Sequence, residues 1–432
     1  MTEKPIADHP LRYALNNELH ARPFPELVAP CRAAYLAIKQ PSGAAKRDRA
    51  LDRAHLVALL DRYGAAHPAP DATHHAVSLG RSFLKWEMHS EFVSYTLYAE
   101  GVEDRPFDGN TFGLFPKAWL EEAPGVVISS VLVRMETEDF AEASMPTLSR
   151  KLAKYFVPES LTMSYVVDRE VVVASDFRID ENGHVRFAIV ANKGVSQRRL
   201  GRIAQRLLET ETYMNASMLG FPVARMVADE TDEMQDELAS IYDRLSEDKS
   251  KDSATLEDLL GLAGRIENLA ARTAFRFGAT AAYAKLVQQR IQLLREERFD
   301  GRQMISEFMM RRYEPAMRTC LSAKARLEDL SARTERAADL LRTRVDVENA
   351  EQNKLVLKRM DQRAGLQLRL QETVEGLSVV AISYYAVSLM GYLLAPLAPM
   401  LGLEKYQLVA ALTLPVVLAA WLIGKRVRKK LK

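Results

Sequence analysis

Only two cysteines, Cys31 and Cys320, occur in 432 residues. They stand far apart and outside any CxxC spacing, which excludes a disulfide framework and a thiolate metal centre. Both read as reduced packing residues of a cytosolic compartment. The N-terminal stretch MTEKPIADHPLRYALNNELHARPFP lacks a continuous apolar run, so no secretory signal is expected and the bulk of the protein should not cross a membrane. The P-loop pattern and the zincin HExxH are absent too, which removes the commonest signatures of nucleotide and zinc chemistry. Proline is nearly missing from one long region, where Pro315 is the only one between Val223 and Glu375. Charge is missing from two others, for 28 positions between Glu375 and Glu404 and for 19 between Lys405 and Lys425.

What is present divides the chain in three: a mixed domain over 1–215, a helical stalk over 216–375 and a hairpin with a basic tail over 376–432. In the first part, Leu11 to His20 has the texture of a short helix and CRAAYLAI, from Cys31, that of a strand. Residues 46–63 have helical spacing, with Leu51, His55, Leu56, Leu59 and Leu60 on one face. SFLKWEMHSEFVSYTLY alternates with period two, and GVVISSVLVRM, LTMSYVVDREVVVASDF and HVRFAIVAN are β-branched-rich runs. The last two are joined by RIDENG, whose Asn182-Gly183 is a turn signal. At least five strands mixed with helices predict an α+β or α/β domain facing the cytoplasm.

The second part is rich in Ala, Leu, Glu, Arg and Gln, with no convincing strand and a helix break expected at Gly301. Leu327, Leu330, Ala337, Leu341, Val345, Leu355, Leu366, Leu370 and Val374 recur at multiples of three to four, as an amphipathic or coiled-coil helix requires. Polar Gln352 and Gln362 interrupt that seam.

Each uncharged run is long enough to span a bilayer once, since a spanning helix needs about 20 apolar residues. Spans are expected at about 377–400 and 406–424, with Pro396, Pro399, Gly402, Glu404 and Lys405 at the turn. Lys358, Arg359, Arg363 and Arg369 before the hairpin and the KRVRKKLK tail put ten basic residues on its end side, against Lys405 at the turn. The positive-inside rule then places both termini in the cytoplasm, at an inner membrane. The basic tail is too short for a nucleic-acid domain, so the expected partners are the lipid bilayer and further copies of this chain, through stalk and hairpin. Ser383, Tyr384, Tyr385, Ser388 and Gly391 are the candidates for a pore wall or for close helix packing. A buried core hairpin is the competing reading of the same runs.

Chemistry-bearing residues are sparse. GLAGR, from Gly261, lacks the strand–turn–helix context of a dinucleotide site, and Ser82 with Lys85 matches S-x-x-K without any supporting motif. The best local set is in KWEMHSEFVSY. On a strand Glu87, His89 and Glu91 share one face, with Trp86, Met88 and Phe92 opposite. Two carboxylates and an imidazole suit a divalent metal or acid–base work; a polar sheet face backed by a core face is the plainer reading. His9, His20, Arg22, His74 and His75 are the remaining polar candidates in this part. No cofactor is implied, and no catalytic residue is assigned.

HPLRYALNNELHARPFPEL, WEMHSEFVSYT and the long segment RTRVDVENAEQNKLVLKRMDQRAGLQLRLQETVEGLSVVAISYYAVSLMGYL resemble segments of a membrane-anchored protein family of bacteria whose function is unknown. The likeness runs along nearly the whole chain and implies a membrane-anchored protein without an agreed catalytic site. The layout is also similar to the CorA-type magnesium channels, which join a cytoplasmic domain, a stalk helix and a two-span hairpin. Those channels carry Gly-Met-Asn at the end of the first span. Here that place reads Met390-Gly391-Tyr392 and no Asn follows Asn353, so the oxygen ring that a filter needs is missing. Three readings compete: a non-enzymatic anchored scaffold or interaction module, an oligomeric channel, and an enzyme using Glu87, His89 and Glu91.

Overall fold

The computed structural model of the protein describes residues 6, 8–13, 15–16, 23–247, 252–397 and 404–430. These belong to two compact units, one of residues 1–247 and 257–336, the other of residues 248–256 and 337–432. Of the helix expected over Leu11–His20, residues 12–13 and 15–16 are helical, while 14 and 17–20, like the hairpin turn over 398–403, lie outside the described residues.

The first unit carries one nine-stranded sheet. Its strands are β1 (Cys31–Lys39), β2 (His74–Leu79), β3 (Ser82–Met88), β4 (Phe92–Glu100), β5 (Val126–Glu138), β6 (Thr162–Val166), β7 (Val171–Ser175), β8 (Val185–Asn192) and β9 (Glu297–Arg298), in the spatial order β2-β3-β4-β1-β5-β8-β7-β6-β9. All neighbours are antiparallel except β5 and β8, which pair in parallel. The β-branched runs form strands, because such side chains fit a pleated, half-buried surface, although LTMSYVVDREVVVASDF folds into two antiparallel strands, β6 and β7, rather than one. RIDENG forms the β7–β8 connection, where Gly183 takes the left-handed backbone (φ 89°) and donates its N–H to Asp180 O at 3.0 Å.

Two strand expectations need correction. The alternating stretch from Ser82 is not one strand but the hairpin β3–β4, closed by His89 N–H donating to Phe92 O at 2.8 Å. The turn resets the alternation. Leu84 and Trp86 share the apolar face with Val93, Tyr95 and Leu97, whereas Phe92 is not opposite Glu87 but lies beside it on the other face. The all-helical reading of the second part also misses β9, which pairs with the edge of β6 through Ser164–Arg298 and Tyr165–Glu297. The backbone turns sharply at this point, with Asp300 at φ 45° and Gly301 at φ 69°.

The two sheet faces differ in chemistry. On one, Ala34, Leu36, Ile38, Leu84, Trp86, Val93 and Tyr95 pack against Leu56, Leu59 and Leu60 of α1 (Arg49–Tyr63) and Trp119 of α2 (Lys117–Glu121). Helix α1 begins where Asp48 accepts Ala50 N–H at 2.8 Å and ends at Gly64 in the left-handed conformation, both favoured caps. Of its expected apolar face, Leu51 is exposed while Asp52 is buried. Leu148, Leu152 and Phe156, on and just after α3 (Met145–Ala153), cover β6–β8 in a second cluster. On the polar face lies α4 (Gln197–Met218), whose Leu200, Ile203, Ala204, Leu207 and Leu208 are buried at helical spacing.

Helices α5 (Gly220–Glu247) and α6 (Asp252–Leu294) follow, then the single turn α7 (Ile305–Phe308), a π-helical turn at Met309–Tyr313, and the 81-residue α8 (Glu314–Leu394). Arg272–Glu230 at 3.0 Å ties α6 to α5, and Arg326–Asp232 at 3.2 Å ties α8 to α5. The expected seam on α8 splits in two. Leu327, Leu330, Ala337 and Leu341 are buried within the chain, whereas Leu355, Leu366, Leu370 and Val374 are exposed. In the second unit, α9 (Lys405–Lys430) runs beside the end of α8. A methyl on Gly391 would come within 3.0 Å of Val409, and one on Gly424 within 3.4 Å of Val379. The helices are therefore antiparallel neighbours in close contact.

One glycine decides how α4 meets the chain ahead of it. A Cβ on Gly201 would lie 1.7 Å from Pro25 O. In an open helix Gly→Ala gains about 1 kcal/mol, but backbone cannot retreat as a flexible side chain can, and overpacking costs about 1–3 kcal/mol. Gly201→Ala should therefore destabilise the protein, against the helix-propensity trend, as a lower thermal midpoint by differential scanning fluorimetry.

Candidate functional site

The polar face of the sheet holds a cluster of buried charges of the first unit. Lys39, Lys85, Glu87 and Glu91 are all buried there, although isolated charges in such surroundings carry a heavy desolvation cost. Each is paired. Lys85 Nζ lies 3.2 Å from Glu87 Oε1 and donates to Gln205 Oε1 at 2.7 Å. Gln205 in turn donates to Glu209 Oε1 at 2.7 Å, and Glu209 pairs with Arg290 of α6. Glu91 accepts from Arg276 Nη2 at 2.6 Å, and Lys39 Nζ stands 3.6 Å away, close enough for an ion pair but not for a hydrogen bond. Burial pulls the Lys39 ammonium below its ordinary range, and the Glu91 carboxylate opposes that shift.

The turn carrying His89 and Glu91 is held by Arg47. Its guanidinium pairs with Asp52 at 2.6 Å and donates to Ser90 O at 2.6 Å, His89 O at 2.9 Å, Phe92 O at 3.0 Å and Ala44 O at 3.2 Å. A planar fork with five donors suits this crowd of carbonyls, which one lysine ammonium would not satisfy. The His89 ring stacks on Phe92, with centroids 4.2 Å apart, and meets Tyr213 edge-on at 6.3 Å.

Glu87, His89 and Glu91 thus sit on one hairpin, with each carboxylate engaged by its own cation. The free space beside Glu87 and His89 is about 10 Å³, which at most one water fills. Among the described residues no group of three or more His, Cys, Asp or Glu is placed to hold a metal ion. What this arrangement does is fasten α4 and α6 to the sheet. His74 pairs across the strands with Glu87, and His75 bonds to Ala66 O at 2.9 Å. His9 accepts Leu11 N–H at 3.2 Å, while His20 and Arg22 lie outside the described residues.

The partners of this hairpin come from far along the chain, which is why Lys39, Arg47, Arg276, Glu209 and Arg290 were not foreseen. A signal was present: Arg276, Tyr283 and Arg290 recur every seven residues and so share one face of α6. Tyr283 stacks on Tyr213 at 5.7 Å between the two arginines.

In the second unit, Ser383 is buried and its Oγ donates to Val379 O at 2.7 Å, within its own helix. Gly391 packs on Val409. Tyr384 and Tyr385 point outward, 70% and 73% exposed, and Ser388 is half-buried. Between the helices runs a groove of about 480 Å³ lined by Ser378, Val379, Ile382, Val416, Ala420 and Ile423. Both helices are long and apolar enough to cross a membrane, and only 11% and 6% of their most apolar windows are buried within the chain. They are not core helices of this chain, which corrects the buried-hairpin alternative.

A family model described as "Protein of unknown function (DUF3422)" matches residues 7–431. The chain belongs to the DUF3422 family. That agrees with the resemblance along its whole length, and it assigns no residue a chemical role. No curated protein matches the chain. Neither finding supports the similarity in layout to CorA-type channels.

One acid of this DUF3422 chain has a clear pH signature. Glu211 on α4 is buried, with Oε1 accepting from Asn215 at 2.9 Å and Oε2 without a hydrogen-bond partner among the described residues. Desolvation pushes its carboxyl up to about 7. An acid whose folded pKa is raised binds its proton more tightly when folded. Its contribution is therefore largest below the unfolded pKa and is lost as pH rises towards 7. In Glu211→Gln that fall should flatten, so the stability difference between variant and wild type should shift by up to about 3 kcal/mol across this window. Urea titrations at pH 5 and pH 8 measure it.

Proposed function

We propose that this protein is a membrane-anchored assembly or interaction module. In this reading α8 and α9 form a two-span hairpin in the inner membrane, and the sheet unit and both termini lie in the cytoplasm. The observation that carries it is the exposure of apolar side chains on both helices, including Leu377, Val380, Ile382, Leu389, Leu414 and Ile423. A contiguous apolar surface of that kind demands lipid or protein as its solvent. The ten basic residues on the end side of the hairpin give the orientation. Lys425 over the Trp421 ring, at 5.0 Å, is the arrangement expected where a span meets lipid headgroups.

Assembly is supported by the middle of α8. Every residue from 346 to 374 is exposed within a single chain, yet helices in water draw most of their stability from packing. Leu355, Leu366, Leu370 and Val374 supply the apolar side that a second copy would cover. The mode of action is binding and assembly, since the Glu87 and Glu91 carboxylates singled out by their pattern are committed to their cations.

Reporter fusions test the topology: one after Lys432 should report from the cytoplasm and one at Glu404 from the outside, and the reverse pattern overturns the anchor as described. Light scattering of the detergent-solubilised full chain tests assembly. We expect a defined oligomer that dissociates when Leu355, Leu366 and Leu370 are replaced by serine, whereas a monomeric wild type rules it out.

A further inference from the structure

A second charged site lies on the same helix α4, next to the Glu209–Arg290 end of the buried network. Arg199, Arg202 and Arg206 project from one face at i, i+3 and i+7, and Arg295, just after α6, joins them around a cleft of about 430 Å³. Val167 and Gln292 complete the wall. Four guanidiniums share this space with two carboxylates: Glu170 pairs with Arg199, and Asp168 with Arg295 at 2.8 Å. Both pairs are partly exposed, so they hold their arginines weakly. Glu209, the other nearby acid, is occupied by Arg290.

Helix capping accounts for part of the cluster only. Arg206 Nη1 donates to Leu293 O at 2.8 Å, near the negative end of α6. The two other terminal carbonyls are already taken, Leu294 O by Val167 N–H at 2.9 Å and Gln292 O by Arg295 N–H at 3.2 Å. Four donors of the Arg206 fork remain, and the half-buried Arg202 has no hydrogen-bond or ion-pair partner among the described residues. Burial, with Arg202 close by, pulls the Arg206 guanidinium below its ordinary range.

The backbone around the cleft is strained. Val167, Asp168 and Arg169 stand consecutively in the left-handed region, at φ 52°, 62° and 63°, and Arg295 does so at φ 47°. None is glycine, and for a β-branched valine this conformation is a genuine outlier. Such residues persist where their surroundings hold them, and they gather at ligand clamps.

We propose that this cleft binds the phosphate group of a small phosphorylated molecule, with Arg202 and Arg206 as its principal ligands. Guanidinium forks match phosphate oxygens bidentately. The volume exceeds a bare phosphate and falls within the range of small-molecule pockets, and the exposed Leu293 side chain in its lining offers apolar surface to an organic remainder. A free metabolite or a lipid headgroup can present the same group.

The test uses the full chain in neutral detergent, titrated by calorimetry with inorganic pyrophosphate and, separately, with short-chain phosphatidylglycerol against phosphatidylcholine. Saturable pyrophosphate binding assigns the site to soluble ligands, and phosphatidylglycerol binding without it assigns the site to headgroups. In either case Arg202→Gln should weaken binding by about tenfold or more, the loss expected of one charge-assisted hydrogen bond. Arg202→Lys should give an intermediate loss. Because Arg202 has no partner to lose, the thermal midpoint of these variants should not move. No saturable binding of either probe, or binding that Arg202→Gln and Arg206→Gln leave unchanged, overturns the proposal.

Discussion

The Arg47 guanidinium governs the sheet unit. By bonding Asp52 and four backbone carbonyls it turns β3 back into β4 after His89 rather than letting the strand run on. That turn delivers Glu91 to Lys39 and Arg276. It also resets which side chains face α1 and which face α4. A sheet buried on both faces ordinarily has apolar side chains on both. Here part of one face is charged, around Lys39, Lys85, Glu87 and Glu91, and these ions are tolerable only because each meets its counter-ion in a fixed geometry. Such pairs add little net stability over an apolar core, but losing one member leaves the other stranded at a cost of about 3–5 kcal/mol. The network thus specifies which helix docks where.

Much of the fold was legible in the chain. β-Branched runs mark β5, β7 and β8, and the caps Asp48 and Gly64 bracket α1. The loss of charge after Glu375 and after Lys405 marks the two apolar helices. The β3–β4 turn was not legible. Period-two alternation holds on both sides of it and hides the change of phase between Met88 and Val93, and what holds the turn is an arginine some 40 residues away. β9 was hidden for another reason: two charged residues, Glu297 and Arg298, have no strand propensity and pair only because the edge of β6 is there.

The candidate site divides along the same line. Glu87, His89 and Glu91 do come together, since a hairpin keeps neighbours near. Their partners are tertiary, and pairing with Lys85, Lys39 and Arg276 changes what those carboxylates are chemically free to do. The arginine cleft shows the reverse case. Its i, i+3, i+7 spacing on α4 stands in the sequence, but an amphipathic helix with a solvated basic face would look the same. The left-handed turn at Val167–Arg169 and the end of α6, which turn that face into a cleft, are visible only in three dimensions.

The position of β9 bears on how the chain can be divided. A cut near residue 215, where the change of texture suggests a boundary, removes the strand that covers β6 together with Arg276 and Arg290. The fragment would present an open sheet edge, a template for pairing with other chains, and would leave Glu91 and Glu209 short of their main counter-charges. The first 215 residues are thus an incomplete hydrophobic and electrostatic unit. During synthesis the sheet stays unfinished until α6 and the segment after it have emerged.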